Sequence, residues 1–218
     1  MSERAEEIIS RLLSGYGSYQ IPRSLDPFSV LVNTILSQNT NSRNRSTAYR
    51  NLEEAIGITP EALSQAPLED LVEAIRPAGM YNQRSRVLKE VSRKILERFS
   101  GSLDQVMLQP YPEARERLMS LPGVGPKTAD IVLMFVAERY IVPVDRHIFR
   151  ISQRLEIVSE RPSYDEVRRA LEEASPPEKR KRLHLSLIQF GREICKARKP
   201  LCRDCSLEDL CDYPEKMM

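Results

Sequence analysis

The chain has 218 residues, 41% of them hydrophobic, and a formal net charge of +2. That much apolar mass supports one large core or two small ones, so the chain need not be disordered, and the near-neutral balance excludes a global basic field, so any anionic partner must be held by local patches. No apolar run approaches the roughly 20 residues that cross a bilayer, and the opening MSERAEEIISRLL carries acids without an apolar signal core, so a cytosolic protein with no membrane partner is expected.

Apolar residues recur at helical spacing almost throughout. In DPFSVLVNTILSQ, Asp26 is a candidate N-cap with Pro27 at the first helical position, and TPEALSQA repeats the device with Thr59 and Pro60. NQRSRVLKEVSRKILERFSG places Val87, Leu88, Val91 and Ile95 on one stripe and stops at Gly101. PYPEARERLMS leads into a hairpin, LPGVGPKTAD. DIVLMFVAERY, apolar nearly all round, predicts a buried helix running to Tyr140. The run YIVPV is strand-like but short and contains Pro143. DRHIFRISQRLEIV, SYDEVRRALEEAS and PPEKRKRLHLSLIQFGREIC return to the helical pattern. The fold class is all-α, with a boundary near RYIVPVD, residues 139–145.

The hairpin has two readings. Gly123 and Gly125 can take left-handed angles and have no Cβ to obstruct a ligand. A helix starting near Lys127 exposes unpaired amides and the positive end of its dipole, which together grip a phosphate. The alternative is a tight turn between packed helices, since such connections often contain glycine. Lys127 sharpens the first reading, because a cation at a helix start opposes the dipole and a neutral amine is a nucleophile; the plain alternative is a solvated lysine. Asp145 follows Pro143 and Val144 where an N-cap belongs, so it reads either as that cap or as a carboxylate of the site. His147 lies two residues on. His184, flanked by leucines, reads as structural. Four cysteines, Cys195, Cys202, Cys205 and Cys211, cluster in the tail with none elsewhere to pair with, the pattern of metal ligands in an intracellular chain.

LPGVGPKTA, VDRHIFR and the spacing C-x6-C-x2-C-x5-C occur together and in this order. In these motifs the chain resembles the endonuclease III branch of the helix–hairpin–helix DNA glycosylases, from ILSQNT near residue 35 to Cys211. The resemblance implies two helical domains flanking a DNA-binding cleft: a six-helix domain over residues 20–135, and an iron–sulfur domain from residues 1–19 and 136–218. It implies Lys127 as nucleophile, Asp145 as essential carboxylate, and one [4Fe–4S] cluster on the four cysteines. Zinc is the runner-up metal, although its four-thiolate sites more often show two C-x-x-C pairs and this tail has one. DNA-wedging residues fall at Gln38 and Asn39 and at Met80. Further contacts come from the hairpin (Gly123, Val124, Gly125), from Arg146 and His147, and from Lys196, Arg198 and Lys199 between the first two cysteines; Arg84 and Arg86 form another candidate basic grip.

A base inside a duplex must be flipped out before chemistry reaches it. The implied reaction is attack of Lys127 on the sugar C1′ as the base leaves, a Schiff base, and elimination that nicks the strand. The implied partner is damaged double-stranded DNA, bound by a monomer. Pro126, where many relatives carry a basic residue, and Arg146, where a small polar residue is common, bear on lesion range. Two rivals stay open: a monofunctional mismatch glycosylase acting on thymine, uracil or adenine, and a non-catalytic iron–sulfur DNA-binding protein. Lys127 together with Asp145 speaks against both.

Overall fold

A computed structural model describes residues 3–16 and 26–216. Among them are twelve α-helices and no strand: α1 (Glu3–Gly15), α2 (Pro27–Ser37), α3 (Ser42–Ala55), α4 (Pro60–Gln65), α5 (Leu68–Ile75), α6 (Tyr81–Phe99), α7 (Asp104–Met107), α8 (Tyr111–Met119), α9 (Pro126–Phe135), α10 (Arg146–Arg154), α11 (Tyr164–Glu173) and α12 (Arg180–Glu193). The caps legible in the sequence form. The Asp26 carboxylate accepts from the Ser29 amide at 2.6 Å and Thr59 Oγ1 from the Ala62 amide at 3.1 Å, each with proline in the first turn.

The chain divides into two compact units, Pro22–Arg139, and Met1–Ile21 with Tyr140–Met218. In the first, α6 packs on α4 and α5, α2 on α9, and α8 on α9. Its interior includes Leu31, Ile35, Leu52, Leu63, Leu71, Leu88, Val91, Ile95, Val132 and Leu133, all buried. The last apolar helix stops at Phe135, short of the expected Tyr140. Left-handed Glu138 (φ 50°) turns the chain so that the Arg139 amide donates to the Leu133 carbonyl at 3.1 Å.

In the second unit α1 lays Ile8, Ile9, Leu12 and Leu13 into one core with Ile148 and Ile151 of α10, Val167 and Leu171 of α11, and Leu183, Leu187 and Phe190 of α12. The strand-like run at 140–144 forms no strand; it is an extended strap whose backbone groups go to side chains instead of a ladder. The Val142 amide donates to Glu172 Oε1 at 3.0 Å and the Val144 amide to the Tyr164 hydroxyl at 3.2 Å. His184 Nδ1 lies 2.8 Å from the Pro143 carbonyl, which only accepts, so that nitrogen carries the proton. His184 is buried, as its flanking leucines predict.

Candidate functional site

Three turns of unusual backbone in the first unit carry the residues the sequence singled out. In Leu121–Val124, proline then glycine at φ 73°, closed by Val124 amide to Leu121 carbonyl at 3.2 Å, is the signature of a type II turn. A Cβ on Gly123 would lie 2.6 Å from Val87 Cγ1 of α6, so the glycine is required by conformation and by packing. Gly125 does not use the left-handed freedom glycine allows: it is extended (φ −93°, ψ −179°), and a Cβ there would meet nothing within 4 Å. Its contribution is open space at the N-cap of α9, where no side chain caps the helix and Pro126 takes the first position. A helix start that no side chain caps presents the positive end of its dipole to an anion. Lys127, half-buried, is the second residue of this helix.

The other two turns are Gln38–Asn39, between α2 and α3, and Gly79–Met80, before α6. Asn39 (φ 52°) and Met80 (φ 51°) are both left-handed. Asparagine tolerates that region, whereas methionine there is unfavourable by roughly 1–2 kcal/mol. Asn39 is exposed and Met80 is 51% exposed. The Gln38 side chain donates to the Gly123 carbonyl at 3.5 Å, and Gly123 sits on Val87 of α6, the helix that Met80 opens. Hairpin, Gln38 turn and Met80 turn thus share one support.

Arg84 departs from its expected part. Arg86 is exposed and available to phosphate, but Arg84 is only 3% exposed and donates through Nη1 to the carbonyls of Ala78 at 2.5 Å and Gly79 at 2.8 Å. Burial pulls its pKa below the usual arginine value. A further pair escaped the sequence reading. Asp130 of α9, fully buried, accepts from the Tyr111 hydroxyl at 2.9 Å and Arg115 Nε at 3.0 Å, both on α8. The signal was present: an aspartate in the middle of an otherwise apolar helix requires a partner.

In the second unit Asp145 is the N-cap of α10. Its Oδ1 accepts from the amides of His147 at 2.8 Å and Ile148 at 3.0 Å. Arg146 is exposed. His147 is half-buried; burial pushes its pKa down, against the opposing pull of Asp145. Arg150 Nη2 lies 3.3 Å from His147 Nδ1, and since a guanidinium only donates, Nδ1 accepts.

The same helix holds the cysteine tail. Arg150 donates to the carbonyls of Gly191 at 2.9 Å and Cys195 at 2.7 Å, and Arg154 to that of Lys196 at 2.7 Å while lying over the Tyr213 ring. The loop so tied carries Lys196 half-buried and Arg198 and Lys199 exposed, with Lys199 left-handed (φ 51°). All four cysteines line one cavity with Leu155, Phe190 and Ile194. Burial raises the thiols of Cys205 and Cys211, and the neighbouring cysteines add to it. Cys195 Sγ lies 3.4 Å from Arg154 Nη1, and Cys205 Sγ 3.4 Å from the Leu207 amide, contacts that suit thiolates. Among the described residues no group of three or more His, Cys, Asp or Glu is placed to hold a single metal ion. Four thiols around a shared apolar cavity fit a larger, sulfur-ligated group.

Comparison with known proteins bears on all of this. Residues 32–177 match the HhH-GPD superfamily base excision DNA repair protein family. Endonuclease III of Thermotoga maritima is 36% identical over 98% of this chain and 92% of that protein. A trapped endonuclease III–DNA covalent intermediate, an estranged-adenine complex, superposes with TM-score 0.81 at 28% identity, covering 98% of this chain and 97% of the other. A thermostable thymine-DNA glycosylase superposes with TM-score 0.82 at 25% identity, covering 99% and 98%. On the family match and these relatives, the chain belongs to the HhH-GPD base excision DNA repair family, as a DNA glycosylase with lyase activity of the endonuclease III type.

Proposed function

We propose that this glycosylase removes oxidised pyrimidines from duplex DNA, with Lys127 as nucleophile and Asp145 as its electrostatic partner. The observation that carries the reading is Lys127 at the second position of a helix whose N-terminus no side chain caps, beside open space at Gly125. A lysine at that position brings an amine to a helix end that suits a phosphate. The base is flipped from the duplex, with Met80 and Asn39, aided by Gln38, filling the gap. Neutral Lys127 Nζ attacks C1′, and the glycosidic electron pair leaves with the base. Ring opening gives an iminium. Loss of a C2′ proton then breaks the C3′–O bond, and the 3′ phosphate departs. Asp145 stabilises the positive charge that develops on the sugar. Phosphate contacts come from the Gly123–Val124–Gly125 turn, through the amides of Gly123 and Gly125, from Arg146 and His147, and from Lys196, Arg198 and Lys199; these position the duplex without reading sequence. The protein acts as a monomer inside the cell.

The test is borohydride trapping on a duplex containing an oxidised thymine. Lys127→Ala is expected to abolish the covalent adduct while keeping the helical signal and most DNA affinity. An adduct formed by Lys127→Ala would assign the chemistry to another amine. The likeness to a thymine-DNA glycosylase, together with exposed Arg146 at the first position of α10, supports a second reading in which mismatched thymine is the substrate. Excision from a thymine–guanine mismatch, without excision of oxidised thymine, would favour it.

Cys195, Cys202, Cys205 and Cys211 are proposed to hold one [4Fe–4S] cluster. Such a cluster, when bound, cross-links the tail and supplies a delocalised, redox-active charge. The chain's own part is to hold the Cys195–Cys202 loop against phosphates through Arg150 and Arg154.

A further inference from the structure

We propose that Arg84 is a positioning residue that holds Met80 ready to enter the gap left by a flipped base; the inference rests on the wedge reading of Met80 given above. Two successive residues before α6 have positive φ: Gly79 at φ 71°, ψ 169° and Met80 at φ 51°, ψ 28°. The first conformation is essentially confined to glycine and the second is unfavourable for a residue with a side chain, so local preference does not hold this turn. Arg84 does. From one turn into α6 its Nη1 donates to both carbonyls that precede Met80, those of Ala78 and Gly79, and its amide donates to the Met80 carbonyl at 3.0 Å.

The form of this contact is not that of ordinary packing. Arg84 is 3% exposed, and its buried Nε and Nη2 have no hydrogen-bond partner among the described residues. Its charge is met by carbonyl dipoles alone. A side chain that merely filled this volume would be better placed without that charge, because a buried unpaired cation is costly. The clamp grips the backbone on the inside and leaves the Met80 side chain 51% exposed on the outside. A wedge whose backbone is already fixed loses little freedom when it enters the duplex, so the cost of ordering it does not fall on the flipping step.

The experiment is a double-mutant cycle between Arg84 and Met80. It is read by the fluorescence of 2-aminopurine placed opposite a tetrahydrofuran abasic analogue, a signal of unstacking that does not depend on which base the enzyme excises. Wild type should raise the fluorescence on binding. Arg84→Met should abolish most of that rise and weaken binding to the analogue duplex about 10-fold or more, while undamaged-duplex affinity stays within about twofold. Arg84→Lys, whose ammonium can donate to the same carbonyls, should restore most of both. In a Met80→Ala background, Arg84→Met should cost less than about twofold further. Gly79→Ala provides a second route should Arg84→Met fail to fold. Its Cβ meets nothing within 4 Å, so it strains only the turn, and its loss should also vanish without Met80. Equal losses with and without Met80, or an unchanged signal in Arg84→Met, would overturn the assignment. Excision of oxidised thymine by wild type is measured separately, so a failure of the substrate reading is distinguishable from a failure of the clamp.

Discussion

Asp145 serves two demands with one side chain. Its Oδ1 caps α10 through the amides of His147 and Ile148, so the capping reading of the sequence is met. The catalytic role proposed for it requires the charge in addition. Asparagine separates the two, because it caps a helix as well as aspartate and carries no charge. Asp145→Asn is therefore expected to leave thermal melting and DNA affinity near wild type while base removal falls at least about 10²-fold, the scale for losing one transition-state stabiliser. Single-turnover excision beside a binding titration checks it; a loss below about threefold would reduce Asp145 to its cap. Arg84 and Arg86 make the complementary point. They stand two positions apart on one helix and read alike in the sequence, yet one is buried on carbonyls and the other is exposed. Their separation follows from where the turn before α6 folds back, which no local rule encodes.

Among the elements, the pair α8–α9 sets the frame of the hairpin. The buried Asp130 carboxylate joins them through Tyr111 and Arg115, one turn along α9 from Lys127. Arg115 is itself mostly buried, with 16% of its side chain exposed. Removing the aspartate takes away the buried carboxylate that Arg115 and Tyr111 share, and breaking a buried pair from one side costs about 3–5 kcal/mol. Asp130→Ala is accordingly expected to lower unfolding stability by that amount in urea titration. At temperatures where the variant remains folded, it should also slow excision by loosening the hairpin. A change below about 1 kcal/mol would mean that the pair contributes nothing to the joint. The apolar pattern DIVLMF announces this helix, and its one aspartate announces a partner; which residues answer depends on how α8 docks.

Across the whole molecule, the tail depends on contacts that span the second unit. α1, at the start of the chain, joins the core of α10, α11 and α12, and Arg4 donates to the Leu210 carbonyl at 2.8 Å, beside the last cysteine. Purified protein is expected to be brown, to absorb broadly in the visible and to contain four irons with matching sulfide per chain, as a [4Fe–4S] site requires. Cys205→Ser should lose the colour and lower the melting temperature, since site and fold are coupled. A colourless protein with one zinc per chain, even after anaerobic purification, would reverse the assignment.

The all-helical class, the caps at Asp26 and Thr59, the turn at Pro122–Gly123, the cap at Asp145 and the membership that LPGVGPKTA, VDRHIFR and the cysteine spacing announce were all legible in the sequence. These are local features: each is set by residues within one or two turns of one another, and the chemistry of proline, glycine and short polar side chains fixes them without distant partners. What distant partners control was not legible there. The run at 140–144 has strand composition but no ladder, because Glu172, Tyr164 and His184 take its backbone groups. Gly125 is extended and makes no use of the left-handed freedom glycine allows, and the apolar helix stops at Phe135. Only the tertiary structure decided that Arg84 clamps the Met80 turn, that Asp130 latches α8 to α9, and that α10 reaches from Asp145 to the cysteine loop. Burial and hydrogen-bond satisfaction are properties of how side chains pack in three dimensions, which the pattern of residues along the chain does not fix.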